Sequence, residues 1–180
     1  NALWLISSDA LYRYTENWTK IANGTFTDLC SHLDNVTVSA PNALYTVTDS
    51  NLIPIPAKNQ PPGDILNIDS YSKTIYLATK DTLALFDGEL YDSVNVIDFG
   101  RMPFAKIRDI HTKQNRLYVA TAKGLALLRG MSMTLITGRE GLCYEDVTCL
   151  ADGFADNFSD DIWIGTTCGL IRYVYNDYMY

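Results

Sequence analysis

Cations are scarce: 14 Lys and Arg face 21 Asp and Glu, a net charge of -7. Nucleic acid and anionic membrane surfaces are read by clustered cations, so neither is expected as the main partner. No run of about 18 apolar residues occurs, which excludes a membrane-spanning helix and predicts no membrane insertion. No stretch keeps a helical period, and Gly, Pro, Asn and Asp break the chain roughly every 8–12 residues. There is no Gly-x-Ser-x-Gly, no His-Glu-x-x-His and no phosphate-cradling glycine loop. The four cysteines, Cys30, Cys143, Cys149 and Cys168, form no Cys-x-x-Cys and have no His at zinc-ligand spacing. No metal and no cofactor is therefore expected. The chain has 180 residues, 47% apolar and 19% charged, which fits a globular domain and excludes disorder and fibre. It begins at Asn1 with no charged-then-apolar leader, so any targeting signal is expected to have been removed or to lie outside it.

What is present points first to a compartment. Four Asn-x-Ser/Thr sequons start at Asn17, Asn23, Asn35 and Asn157, against roughly one expected on ordinary composition. They predict N-glycosylation and a secreted or lumenal protein. Cysteines in that compartment are read as disulfides rather than metal ligands. The loop before a first strand and the turn between second and third strands lie at one end of a sheet, so Cys143 and Cys168 are the favoured pair. Cys149 with Cys168 is the competing pair, and Cys30 is left free or bonded elsewhere.

A repeat organises the rest. Ala2–Ile6, Ala43–Val47, Thr74–Thr79, Arg116–Thr121 and Asp161–Thr166 each place an aromatic residue after an aliphatic one, at positions 4, 45, 76, 118 and 163. The separations are 41, 31, 42 and 45 residues, the size of one four-stranded propeller blade. Each run is followed by a short turn and a second apolar run, the pattern of an antiparallel hairpin. A shorter run that starts with Asp and an aliphatic residue precedes most of them: Asp28, Asp64, Asp109 and Asp146. The sequence therefore predicts an all-β fold, a β-propeller of four-stranded antiparallel blades. Five repeat cores fall near 3–14, 43–56, 74–87, 116–129 and 161–174. Residues 1–180 are read as a single propeller domain or a propeller fragment, part of a larger ring, because unclosed sheet edges are sticky.

Asp161-Ile-Trp-Ile-Gly-Thr-Thr-Cys-Gly-Leu-Ile-Arg-Tyr173 resembles the two-component regulator propeller repeat: Leu-Trp-Ile-Gly-Thr, two variable residues, Gly-Leu, then Arg-Tyr. The likeness extends to 117–128 and 3–14 and weakens at 44 and 75, where Asn51 and Thr82 stand for the second Gly. It implies a blade rather than a reaction. In the bacterial relatives it implies the extracytoplasmic sensor half of a carbohydrate-responsive regulator.

The chemistry-bearing residues divide into three groups. Asp28, Asp64, Asp109 and Asp146 would stand at one channel mouth, either as a ring for a cation or polyol or as acceptors of backbone N–H groups. His111, beside Asp109, is the candidate acid/base pair, and His32 belongs to another repeat. Arg101, Phe104, Lys106 and Arg108 form the one basic cluster, suited to a sulfated or uronic glycan or simply solvated. Twelve tyrosines, four of them alternating at 173, 175, 178 and 180, fit packing between blades. Because the recurrent residues are explained by blade construction, the expected function is binding of a glycan or protein ligand rather than catalysis. Further blades or chains are expected as partners. The alternatives are a propeller-type carbohydrate-active enzyme, a lyase or hydrolase, and a structural segment of an extracellular assembly.

Overall fold

The computed structural model describes residues 2–80, 82–94, 106–130, 132–153 and 161–174. The chain divides into two compact units, Asn1–Val94 and Asn95–Tyr180. In the first unit, β1 (Leu3–Ile6), β2 (Ala10–Tyr14) and β3 (Trp18–Asn23) form sheet 1, in that order. Sheet 2 runs β4 (Asp28–His32), β5 (Asn35–Ala40), β6 (Ala43–Val47) and β7 (Leu52–Pro54). Sheet 3 runs β8 (Asn67–Tyr71), β9 (Thr74–Ala78), β10 (Leu83–Phe86) and β11 (Tyr91–Ser93). In the second unit, sheet 4 runs β12 (Ile107–Lys113), β13 (Arg116–Thr121), β14 (Gly124–Arg129) and β15 (Ser132–Ile136). Sheet 5 holds β16 (Val147–Asp152), β17 (Asp161–Thr166) and β18 (Gly169–Val174). Every described pair is antiparallel and joins strands consecutive in sequence.

The turns show why these runs fold back. Where the second strand ends, a hydroxyl closes the tight turn onto the third. Thr121 Oγ1 donates to Gly124 O at 2.8 Å, Thr166 Oγ1 to Gly169 O at 2.9 Å and Thr79 Oγ1 to Thr82 O at 3.2 Å. Ser7 does the same toward Ala10 O at 3.2 Å. The hydroxyl satisfies turn groups that the ladder cannot reach, so the recurrent Thr has a hydrogen-bonding reason beyond its β-branched shape. Two first-to-second strand turns, Leu33-Asp34 and Gln114-Asn115, have positive φ at both central residues (47° and 63°, 48° and 59°). That geometry matches the right-handed strand twist.

Each sheet has two apolar faces, and the core lies between sheets. Leu11 of sheet 1 meets Val38 and Val47 of sheet 2, with Trp4 and Ile6 packed alongside. Cys30 and Leu44 of sheet 2 meet Ile75, Leu77, Ala84 and Phe86 of sheet 3. Tyr118, Ala120, Leu125 and Leu127 of sheet 4 meet Ile162 and Ile164 of sheet 5.

Register corrects one repeat. Ala43–Val47 is the third strand of sheet 2, and Asn35–Ala40 is its second. Thr37 lies between Cys30 and Thr46 as Tyr76 lies between Asp69 and Leu85, so Thr37 rather than Tyr45 holds the aromatic position. The pattern misled because Tyr45, on β6, follows an aliphatic residue as the true second-strand aromatics do. The outermost strand of sheet 3 is Tyr91–Ser93.

One glycine carries both a backbone and a steric demand. Gly124 sits at φ 129°, and a Cβ there would come within 2.6 Å of the Ile136 carbonyl oxygen. Gly169, its counterpart in sheet 5, has φ 148° but nothing within 4 Å of the added carbon. Gly124→Ala is expected to lower unfolding free energy by about 1–3 kcal/mol, and Gly169→Ala by clearly less. Urea unfolding of the two variants checks the order.

Candidate functional site

The first strand of sheets 2 to 5 pairs with its second strand on one side only. Between sheets 2 and 3, and between sheets 4 and 5, polar side chains of one first strand reach the backbone of the other. Asp28 accepts the Leu29 N–H on Oδ1 at 2.8 Å and the Ile68 N–H on Oδ2 at 2.9 Å. Asp109 repeats the arrangement, accepting Ile110 N–H at 2.9 Å and Leu150 N–H at 2.7 Å. Both carboxylates thus tie their own strand to the next sheet, through charge-assisted bonds to backbone donors that would otherwise need water. Ser70 Oγ adds a bond to Ser31 O at 2.5 Å.

The four expected mouth carboxylates do not all hold the same repeat position. Asp28 lies opposite Ser39, Asn67 opposite Ala78, Asp109 opposite Ala120 and Cys149 opposite Gly165, so these four share the position. Asp64 is exposed in the loop before β8. Asp146 precedes β16, where its carboxylate meets Arg108 at 2.6 Å and its carbonyl accepts Thr167 N–H at 3.2 Å. Asp-aliphatic pairs recur in both loop and strand, and sequence alone does not separate them.

His111 is brought to a carboxylate other than the expected one. Its Nε2 lies 3.2 Å from Asp152 Oδ1, and Lys113 Nζ lies 3.2 Å from the same oxygen. Lys113 also donates to Asp161 O at 2.8 Å. Burial pushes the Asp152 carboxyl up, but hydrogen bonds from His111 and Lys113 outweigh it and hold the group below the usual carboxylate range. Asp109, two residues from His111 on the same strand, accepts the Leu150 N–H on its carboxylate. Next to this cluster, fully buried Asp161 pairs with Arg172 Nε at 2.5 Å. Sequence reasoning missed Lys113 and Asp152, whose contacts span up to 48 residues and sit in no motif, and it gave no role of their own to Asp161 and Arg172, which stand within the repeat motif. Chemically, an imidazole and an ammonium share one carboxylate whose side chain is 65% exposed, a polar patch able to meet hydroxyls or a charged group.

The remaining candidates are scattered or undescribed. Lys106 is exposed at φ 36°, and Arg108 is engaged with Asp146. Arg101 and Phe104 lie outside the described residues, as does the sequon at Asn157. Asn17, Asn23 and Asn35 are exposed. His32 ends β4, and partial burial lowers its imidazole below the ordinary value. The expected Cys143–Cys168 disulfide is not formed: both thiols are free and exposed, as is Cys149. Cys30 is buried in the core, where loss of water first, then the Asp69 and Asp28 charges, push its thiol up to about 12. Among the described residues no three His, Cys, Asp or Glu are placed to hold a metal ion, and no helix is long and apolar enough to cross a membrane.

A scan of family models returns no match, and neither does a search of curated proteins. Solved structures do match. An extracellular domain of the B. thetaiotaomicron one component system protein BT4673 aligns with TM-score 0.72 and 18% identity, over 98% of this chain and 26% of that one. The WD40 β-propeller domain of Doa1 aligns with TM-score 0.66 and 12% identity, over 96% of this chain and 61% of that one. The computationally designed protein Ika4 aligns with TM-score 0.58 and 13% identity, over 85% of this chain and 92% of that one. The chain therefore spans about a quarter of the BT4673 chain and about three fifths of the Doa1 chain. At these identities the likeness shows the fold alone, and that fold is of the β-propeller type.

Two outcomes follow from the site. Asp109→Ala strands the Leu150 N–H and is expected to cost about 1–3 kcal/mol of stability, whereas Asp64→Ala, in an exposed loop, should stay within about 0.5 kcal/mol; denaturant unfolding compares them. For the thiols, a neutral-pH maleimide label is expected on Cys143, Cys149 and Cys168 of the folded chain and on Cys30 only after denaturation, read by peptide mass. A disulfide between Cys143 and Cys168 would instead leave both unlabelled until reduction.

Proposed function

We propose that the chain is an extracytoplasmic β-propeller interaction module whose ligand is a glycan or a protein. The observation that carries this reading is the engagement of the repeated carboxylates. Asp28 and Asp109 each put one oxygen on the N–H of the next residue in their own strand and the other on an N–H of the following sheet, so the recurrent chemistry builds the scaffold and function falls to non-repeated residues. The likeness to extracellular domains of B. thetaiotaomicron regulators and the exposed Asn17, Asn23 and Asn35 support a secreted or lumenal setting in which those sequons carry glycans.

Arg101, Phe104, Lys106 and Arg108 are the residues proposed to meet an acidic glycan, the cations pairing its sulfate or carboxylate groups and the ring stacking on a sugar face. The exposure of Lys106 supports its availability to a ligand. A second reading, a carbohydrate-active enzyme, is favoured by one observation, the His111–Asp152 pair with Lys113 on the same oxygen. In it His111 is the general base and Asp152 orients the imidazole.

Titration calorimetry with a sulfated and a uronic oligosaccharide tests the first reading. Binding that weakens by at least about tenfold in Arg101→Ala/Lys106→Ala/Arg108→Ala and falls with added salt is expected. Turnover of either oligosaccharide, lost in His111→Ala, would establish the enzyme reading instead; neither binding nor turnover would leave a protein ligand.

A further inference from the structure

The outermost strand of sheet 3 is held to its neighbour through alternate residues. Phe86 opposes Tyr91 and Leu85 opposes Asp92, while the Asp87 N–H donates to Leu90 O at 3.4 Å and the Val94 N–H to Leu83 O at 3.1 Å. In an antiparallel pair, positions bonded across the ladder alternate with positions whose backbone groups point the other way. Tyr91 holds one of the second kind, so its N–H and C=O face away from β10, along the outer edge of the sheet. A row of such groups is a template for a strand from another chain.

Residues 56–64, in the connection from β7 to β8, lie on that edge. Asn59 Nδ2 donates to Tyr91 O at 2.7 Å, and Asn59 Oδ1 accepts the Tyr91 N–H at 2.7 Å. One side-chain amide thus meets both groups, as the backbone of a further strand would. A residue earlier, the Lys58 N–H donates to Glu89 O at 2.8 Å, and the Lys58 ammonium pairs with the Glu89 carboxylate. Both ends of the segment are anchored. The Ile55 N–H donates to Leu44 O at 2.9 Å and its side chain packs on the core between sheets 2 and 3; Ile65 is fully buried, with its N–H on Pro41 O at 2.7 Å. Between these anchors nearly every residue is exposed, so the path of the segment is set by its edge contacts rather than by burial. The strands that end the other two sheets of this unit carry their own deterrents to pairing: β7 ends at Pro54, which has no N–H, and β3 carries Lys20. Tyr91-Asp92-Ser93 has neither a Pro nor a Lys.

We propose that residues 56–64 are an edge strap, with Asn59 as its plug, that shuts the outer edge of sheet 3 to strand addition by other copies of this chain. Asn59 takes the donor and the acceptor that a pairing strand would take, and Lys58 takes the next acceptor along. Directly behind them lie the Phe86 and Tyr91 rings, 4.8 Å apart and 2% and 7% exposed. An opened strap therefore offers unpaired backbone groups beside apolar surface, the combination that drives edge-to-edge pairing. The strap does not rest on the ligand reading above.

Asn59→Ala in the intact chain tests this, with Gly124→Ala as a control destabilised in another sheet. Hydrogen exchange read by mass spectrometry is expected to quicken at the Tyr91 amide in Asn59→Ala, while circular dichroism stays that of the folded parent. In sedimentation velocity over a dilution series, Asn59→Ala is expected to associate at concentrations at least about tenfold below those at which the parent or Gly124→Ala does. Asn59→Ser, whose hydroxyl keeps part of the contact, takes its place should the alanine variant be unfolded. A folded variant that associates no more readily than the parent overturns the proposal and leaves Asn59 as a local loop tether. Equal association of Asn59→Ala and Gly124→Ala also overturns it, because lost stability rather than an opened edge would then be the cause.

Discussion

A three- or four-stranded sheet cannot bury its own apolar face, and the whole architecture follows from that constraint. Each sheet here is short, five or so residues to a strand, with side chains alternating between two faces. Stability therefore comes from stacking one sheet on the next, and the core is distributed among sheet pairs rather than gathered at a centre. Leu11 with Val38, Leu44 with Ile75 and Leu77, and Tyr118 with Ile162 and Ile164 are three instances of one contact. The tight Thr turns keep second and third strands in register so that these faces stay continuous.

The stacking leaves backbone donors at the edge of each first strand, and the sequence meets this with one acidic position. Asp28 and Asp109 bridge to Ile68 and Leu150, so their carboxylates serve the scaffold. A residue type that recurs with the fold is a poor guide to function for that reason. The departures are more informative: Asn67 and Cys149 occupy the same position in sheets 3 and 5, and His111, Lys113 and Asp152 gather at a place that no repeat predicts.

Much of the fold was legible because β periodicity is local. The hairpins at 74–87, 116–129 and 161–174 announce themselves through alternation, a turn residue and an aromatic. Sheet 2 shows the limit: Ala43–Val47 has the same local signature, yet it is the third strand, since only pairing decides which strand lies between which. The candidate site was less legible. Asp64 and Asp109 look alike in sequence, but one sits in an exposed loop and the other spans two sheets. Cys143 and Cys168 were a reasonable pair by strand direction, but both remain thiols.

By itself the sequence determined the all-β class, the blade-sized repeat and the hairpin turns, because each depends on residues close together in the chain. Only the tertiary structure decided which carboxylates are tethers and which acid His111 meets. Those outcomes depend on the neighbouring sheet, some 40 residues away in the chain at the spacing of one repeat, and register across that distance is set by packing rather than by local preference.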